Sequence, residues 1–454
     1  MASFRTAFHT LSRRVASSAE HRPLLSLARD STGLRCFGTS PALALRSSLV
    51  LEYPPKRHTQ IKSKAFRKST KKSTAAFDFS VSEDAKEEDT SVNTQYYQEP
   101  VFADIPELVP EMISTATGTG QVCSLPRDLI GQFTSSVFPG SLFQDFSTTH
   151  SDGLLIREPL CQVGRLMETP DTRSQAGATV LLGQAGVGKS ATLLQAACYA
   201  YIKEWLVLYA PKAESWVDAS GPYSRSQDPE LFTQAEITAN WLKFIVRTNK
   251  HVLSKATLAE EVTIGSKKLA KGASLEELLS ISSSNSALAP QVLDALLTQV
   301  QHGVGVPVLL AVDQLGALYT TTEYFNNANE RLAPHNLKLV RSILPFFDNQ
   351  RKLKDGLVLG AVSQADPRFR LPQPDSVMAP FSRGLLPSPF KFQTLTIPPY
   401  SREETKNILQ YYKESGLLDN DITDELITKR WVLTNGKAAE LLRYTLTHAN
   451  PRMV

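Results

Sequence analysis

Gly183-Gln184-Ala185-Gly186-Val187-Gly188-Lys189-Ser190 is the stretch that most narrows what this chain can fold into. The pattern works only between a buried strand and a helix. Its glycines let the backbone curl so that successive N–H groups face a phosphate, and the helix N-terminus adds partial positive charge. The flanks agree. Thr179-Val180-Leu181-Leu182 reads as a short apolar strand leading in, and 191–203 reads as a helix with Leu193, Leu194, Ala197, Cys198 and Tyr201 on one stripe. In such a loop Lys189 reaches the β- and γ-phosphates and the Ser190 hydroxyl ligates Mg²⁺. The candidate nucleotide contacts run through Gly183, Gln184, Ala185, Gly186, Val187, Gly188, Lys189, Ser190 and Ala191.

A second phosphate-site element should be an acid ending a neighbouring strand, holding the metal through water. Val306-Pro307-Val308-Leu309-Leu310-Ala311-Val312 supplies the strand and Asp313 the acid. ATP-driven members of the additional-strand class carry a Glu next, to polarise the attacking water. Here the residue is Gln314, an amide without a basic carboxylate. Nucleotide binding is therefore expected with at most slow hydrolysis, and no catalytic residue is assigned. Ser363-Gln364, ending the strand 357–362, stands where that class places a polar sensor. Asn435, in Thr434-Asn435-Gly436-Lys437, is a further candidate nucleotide contact, with helix capping as its other role. No Asn-Lys-x-Asp guanine-reading motif occurs, so local motifs leave GTP, GDP and ATP open. The histidines show no HExxH spacing, and no nucleophile elbow is present.

Strands at 205–209, 306–312, 357–362 and 392–397 alternate with helices at 291–301 and 337–347. Asp228-Pro229-Glu230 reads as the start of another helix carrying Ile237, Trp241, Phe244 and Ile245. This alternation predicts a parallel, doubly wound α/β P-loop core over 176–398, with an insertion at 249–290. From Ser401 the pattern is helical, predicting a small all-α lid over 399–454 that opens at Ser401 with Glu403 and Glu404 in its first turn. Residues 95–175 form a turn-rich segment before the core.

The N-terminus is Arg- and Ser-rich, with Glu20 and Asp30 its only acids before Glu52, as in a mitochondrial transit peptide over 1–45. Residues 46–94 read as a disordered extension, basic from Lys56 to Lys72 and then acidic from Glu83 to Asp89, whose basic part suits RNA phosphate. The four cysteines are scattered with no CxxC pair, and no apolar run is long enough to span a membrane.

Several stretches in order resemble one family. They are Leu155-Ile156-Arg157-Glu158-Pro159, the phosphate loop, 203–209 with Pro211 and Trp216-Val217, 311–318 around Asp313, 361–364, Gln410-Tyr411-Tyr412 and Leu433-Thr434-Asn435. Together they are similar to the nucleotide-binding proteins of the mitochondrial small ribosomal subunit, the death-associated protein three family. That resemblance implies a structural ribosomal protein of the mitochondrial matrix. It also implies contacts to small-subunit rRNA and neighbouring ribosomal proteins, a bound guanine nucleotide with Mg²⁺, and no need for homo-oligomers. It sets Gly183 to Ser190 around the phosphates and Asp313 near the metal. The other functional class left open is a nucleotide-gated signalling or remodelling NTPase.

Overall fold

Four of the apolar runs that led this reading are fully or almost fully buried, and they pair with one another. The computed structural model describes residues 104–130, 140–149, 152–169, 173, 177–363 and 392–447. Strands β1 (Ala178–Leu182), β2 (Leu206–Ala210), β3 (Val308–Val312), β4 (Gly356–Ala361) and β5 (Gln393–Thr396) form one parallel sheet in the order β5-β1-β4-β3-β2. The register sets Val358 beside Ala178, Leu310 beside Val358, and Leu208 beside Leu310. A parallel sheet covered on both faces needs continuous rather than alternating apolar sequence, which is what β2, β3 and β4 carry. Strand β4 separates the phosphate-loop strand β1 from the Asp-bearing strand β3. This defines the additional-strand P-loop fold, as the sequence predicted.

In chain order the main helices are α1 (Gly140–Thr149), α2 (Glu158–Glu168), α3 (Lys189–Ile202), α4 (Ala235–Thr248), α5 (Leu275–Ser284), α6 (Ala289–His302) and α7 (Lys338–Phe347). Three more follow the sheet, α8 (Arg402–Glu414), α9 (Asp424–Thr434) and α10 (Ala438–Thr447). Edge strand β2 is not left open. Asn249, buried after α4, accepts from Val207 N at 2.7 Å and donates to Val207 O at 2.8 Å, satisfying ladder groups that have no neighbouring strand. Trp241 of α4 donates to Tyr209 O at 2.8 Å.

One expected helix start is corrected. Asp228-Pro229-Glu230 does not begin α4. The Asp228 carboxylate accepts from Glu230 N at 3.0 Å, making a turn between the short paired strands Ser224–Arg225 and Phe232–Thr233. A side chain that caps its own turn competes with the helix it was expected to open, and α4 starts at Ala235. The stretch 249–290 is ordered throughout. It forms a hairpin of Val262–Ile264 with Lys267–Leu269, and α5 is N-capped by Ser274. Leu275, Leu278, Leu279 and Ile281 enter the main core.

The segment before the sheet is also part of that core. Val122–Cys123 pairs with Leu154–Leu155, and Ile156, Leu160, Val163 and Met167 are buried. Helices α8 to α10 enclose a second apolar cluster of Ile408, Leu409, Tyr411, Tyr412, Leu417, Leu418, Ile427, Leu441 and Leu442, joined by Leu155. Among the described residues no helix is long and apolar enough to cross a membrane. The expected transit peptide, the basic and acidic extension, Gln364 and most of the linker 170–176 lie outside the described residues.

Candidate functional site

The loop between β1 and α3 is held open by its glycines. Gly183 has φ +148°, and a Cβ there would sit 2.5 Å from Ile397 O, so no side chain fits. Gly188 adopts the left-handed conformation at the N-cap of α3. Lys189 is 6% exposed. Its ammonium donates to Gly183 O at 2.9 Å and Gln184 O at 2.6 Å. Burial lowers its pKa to about 8, partly opposed by the charge of Asp313.

Asp313 follows β3 and is 1% exposed. Its Oδ1 accepts from Gln314 N at 2.7 Å, while its Oδ2 is buried with no hydrogen-bond partner. Burial pushes the carboxyl up to about 6, against the pull of the Ser190 hydroxyl, the Gln314 N–H and the Lys189 ammonium. A buried carboxylate oxygen without a donor, beside a serine hydroxyl, is an arrangement that a hydrated Mg²⁺ satisfies. Gln314 sits at φ +57° with its side-chain oxygen also buried and unpartnered.

The loop opens into a cavity of about 190 Å³. Ala185, Gly186, Gly188, Lys189, Ser190, Ala191 and Ser363 line it, whereas Gly183, Gln184 and Val187 form the loop behind that lining. Asn435 does not line it. It is an exposed left-handed C-cap of α9, because the reversal from α9 to α10 needs a positive φ, and Ala438 and Ala439 face the cavity instead. The Ala439 N–H donates to Gly186 O at 3.1 Å, so the last helix touches the phosphate loop directly.

Arg157 was visible in the sequence only as part of a family-like stretch. It proves to be the clasp of the site, with its side chain 4% exposed. Its Nε donates to Glu404 Oε1 at 2.7 Å, its Nη1 to Val187 O at 3.1 Å, and its Nη2 to Pro398 O and Pro399 O at 3.0 and 3.2 Å. The guanidinium lies 4.7 Å from the centroid of the Tyr400 ring. Glu404 in turn closes a capping box, accepting from Ser401 N at 2.8 Å, so the expected start of α8 holds. One buried cation thus ties the phosphate loop to the strand exit after β5 and to the lid. No local pattern could announce this, because the partners lie 30 and 247 residues away.

Sheet order and loop geometry define the additional-strand P-loop fold. Residues 154–444 match the family described as mitochondrial ribosomal death-associated protein 3, and the chain belongs to that family. Similar proteins include the small ribosomal subunit protein mS29 of Neurospora crassa, 23% identical over 75% of this chain and 77% of that one. The protein of the same name from Schizosaccharomyces pombe is 23% identical over 71% of each chain. That from Mus musculus is 24% identical over 66% of this chain and 78% of its own. Among solved structures, a Walker-type ATPase of Pyrococcus abyssi overlaps at TM-score 0.35 and 14% identity. That overlap spans 64% of this chain and 65% of the other, just under two thirds of its length, and is too slight to bear on function.

Proposed function

We propose that this chain is a structural constituent of the mitochondrial small ribosomal subunit, resident in the matrix, that holds a purine nucleotide with Mg²⁺ as part of its folded structure. The family match across 154–444 carries the ribosomal role. The lid-contacted phosphate loop, with its buried Lys189, supports the nucleotide. On binding, Lys189 exchanges the carbonyls of Gly183 and Gln184 for phosphate oxygens, and Ser190 with the orphaned Asp313 Oδ2 holds the metal shell. The metal neutralises phosphate charge there. Gln314 supplies no general base, so the nucleotide is retained rather than consumed. Retention stabilises the fold by mass action and stiffens the face presented to the ribosome.

Contact with rRNA has support beyond the basic extension. Lys212, Lys243 and Arg247 line a cavity of about 510 Å³ beside β2 and α4, with Trp216, Trp241 and Phe244 in its wall. None of these three cations has an ion-pair partner among the described residues, and Arg247 Nε is buried without a hydrogen bond. Unpaired cations beside apolar walls suit phosphate and base together. The Arg-rich leader serves as the import signal.

Sucrose-gradient sedimentation of a mitochondrial lysate tests the reading, with this chain followed by mass spectrometry and nucleotide extracted from the same fractions. Co-migration with the small subunit, with one nucleotide per copy, is expected. A chain found mainly in light fractions would discard the structural role in favour of a free, nucleotide-gated switch.

A further inference from the structure

The cavity beside edge strand β2 is shaped for more than a backbone contact. Asn240, Lys243, Phe244 and Arg247 of α4 line it, together with Lys212 and Ser215, which follow β2. The spacing 240, 243, 244, 247 sets those four side chains on one face of α4. Trp216 and Trp241 pack with ring centroids 5.0 Å apart and, with Phe244, make an apolar floor, buried except where it borders the cavity. None of the described residues that line the cavity is acidic. The Arg247 guanidinium lies 6.0 Å from the Phe244 ring centroid, and its Nε is buried with no acceptor among the described residues. A guanidinium nitrogen withdrawn from water without an acceptor is costly unless a ligand supplies one. The Asn240 carboxamide stands exposed at the rim, without a hydrogen bond to a described residue.

The occupant must therefore be anionic and must also cover an apolar floor. An acidic side chain satisfies the cations but leaves the aromatic rings bare. A paired RNA strand presents phosphate, yet keeps its bases stacked inside the duplex. An unstacked nucleotide carries both parts, a phosphate that matches the guanidinium fork and a flat ring for the floor. The volume of about 510 Å³ falls within the roughly 300–1,000 Å³ of sites that enclose small ligands. We propose that this cavity receives one looped-out nucleotide of an RNA strand. Arg247 and Lys243 hold its phosphate, Trp241 and Phe244 support its base, and Lys212 meets a neighbouring phosphate. The Asn240 carboxamide offers a donor and an acceptor at the base edge, which suits any base. This rests on the reading of the same cavity as an rRNA contact and adds the form of RNA it takes, unpaired rather than duplex.

The test measures fluorescence anisotropy of the full chain with two labelled RNA hairpins, identical except that one bulges a single adenosine from its stem. Wild type should bind the bulged hairpin about tenfold more tightly, the worth of one base against an aromatic surface. Arg247→Gln should erase that preference and lower the slope of log affinity against log salt by about 0.7. Lys352→Gln, which removes an exposed cation outside the cavity, should leave the preference intact. Equal affinity of wild type for both hairpins, or a preference that survives Arg247→Gln, would overturn the proposal while general contact with rRNA stands. Failure to bind either hairpin at micromolar concentration would remove the rRNA contact itself. Displacement of the bulged hairpin by micromolar uridine monophosphate would assign the cavity to a free mononucleotide. Displacement by a hexaglutamate peptide would assign it to an acidic protein segment, and either result overturns the proposal. If Arg247→Gln does not fold, Lys243→Gln, at an exposed position of α4, decides by the same loss of preference.

Discussion

The two ends of the cavity are built in opposite ways. The phosphate end is one contiguous stretch whose recognition groups are backbone N–H groups, set by glycines and the start of α3. The other end is assembled from α1, the segment 153–155, the turn before α8, α8 and α10, and is lined largely by side chains. Backbone chemistry leaves a dense signature in a short window, because each position of the loop has a steric duty. Side-chain chemistry leaves almost none, since one Asp, one Phe and three Tyr spread between positions 145 and 412 look like any core. Arg157 fastens the one end to the other.

The largest expected effect breaks that fastening. Arg157→Ala leaves Glu404 partly buried without its cation and removes the donor to three carbonyls. It should cost about 3–5 kcal/mol in urea unfolding. Arg157→Lys should recover only part, because an ammonium lacks the fork. A loss below about 1 kcal/mol would show that the two ends are held together by packing alone.

Lys189→Ala acts on the phosphate end only. Removing a charge-assisted bond should weaken nucleotide affinity by roughly 10- to 100-fold. Without nucleotide the melting temperature should hold or rise, because burial disfavours this ammonium and lowers its pKa to about 8. A fall in melting temperature of the nucleotide-free protein would mean that its bonds to Gly183 O and Gln184 O stabilise the loop in their own right.

The smallest effect is a pH dependence. In metal-free protein the Asp313 carboxyl is raised to about 6, above its value in an unfolded chain. The folded state therefore takes up the proton first, and this residue's contribution to stability rises as pH falls from about 6 to about 4. Asp313→Asn should be the more stable protein at pH 7.5 by on the order of 1–2 kcal/mol, with the difference shrinking towards pH 4.5. Parallel curves for the two proteins would show that Asp313 is not strained in the absence of metal.

The same contrast explains what could be read in advance. Strands β1 to β4 were legible because burial on both faces leaves unbroken apolar runs, and the capping box at Ser401 because its partners are three residues apart. The false helix start at Asp228 failed because Asx turns and N-caps share a residue preference, and only tertiary pairing of Arg225 with Phe232 decides between them. Asn435 carried two readings, nucleotide contact and helix capping, and the structure shows it as a left-handed C-cap at φ +52°. Arg157 was beyond reach because its meaning lies in what faces it across space.

Arg157 also imposes an order on events. A chain made from its N-terminus releases this cation 247 positions ahead of the glutamate that receives it. Ala439, which bonds the loop, arrives later still. Until then the loop is unroofed and an arginine destined for the interior has no counter-charge, so the lower half of the domain must wait or stay hydrated. A copy truncated before residue 404 would never complete that clasp. Possession of the closed site therefore certifies that the chain has been made at least as far as Ala439.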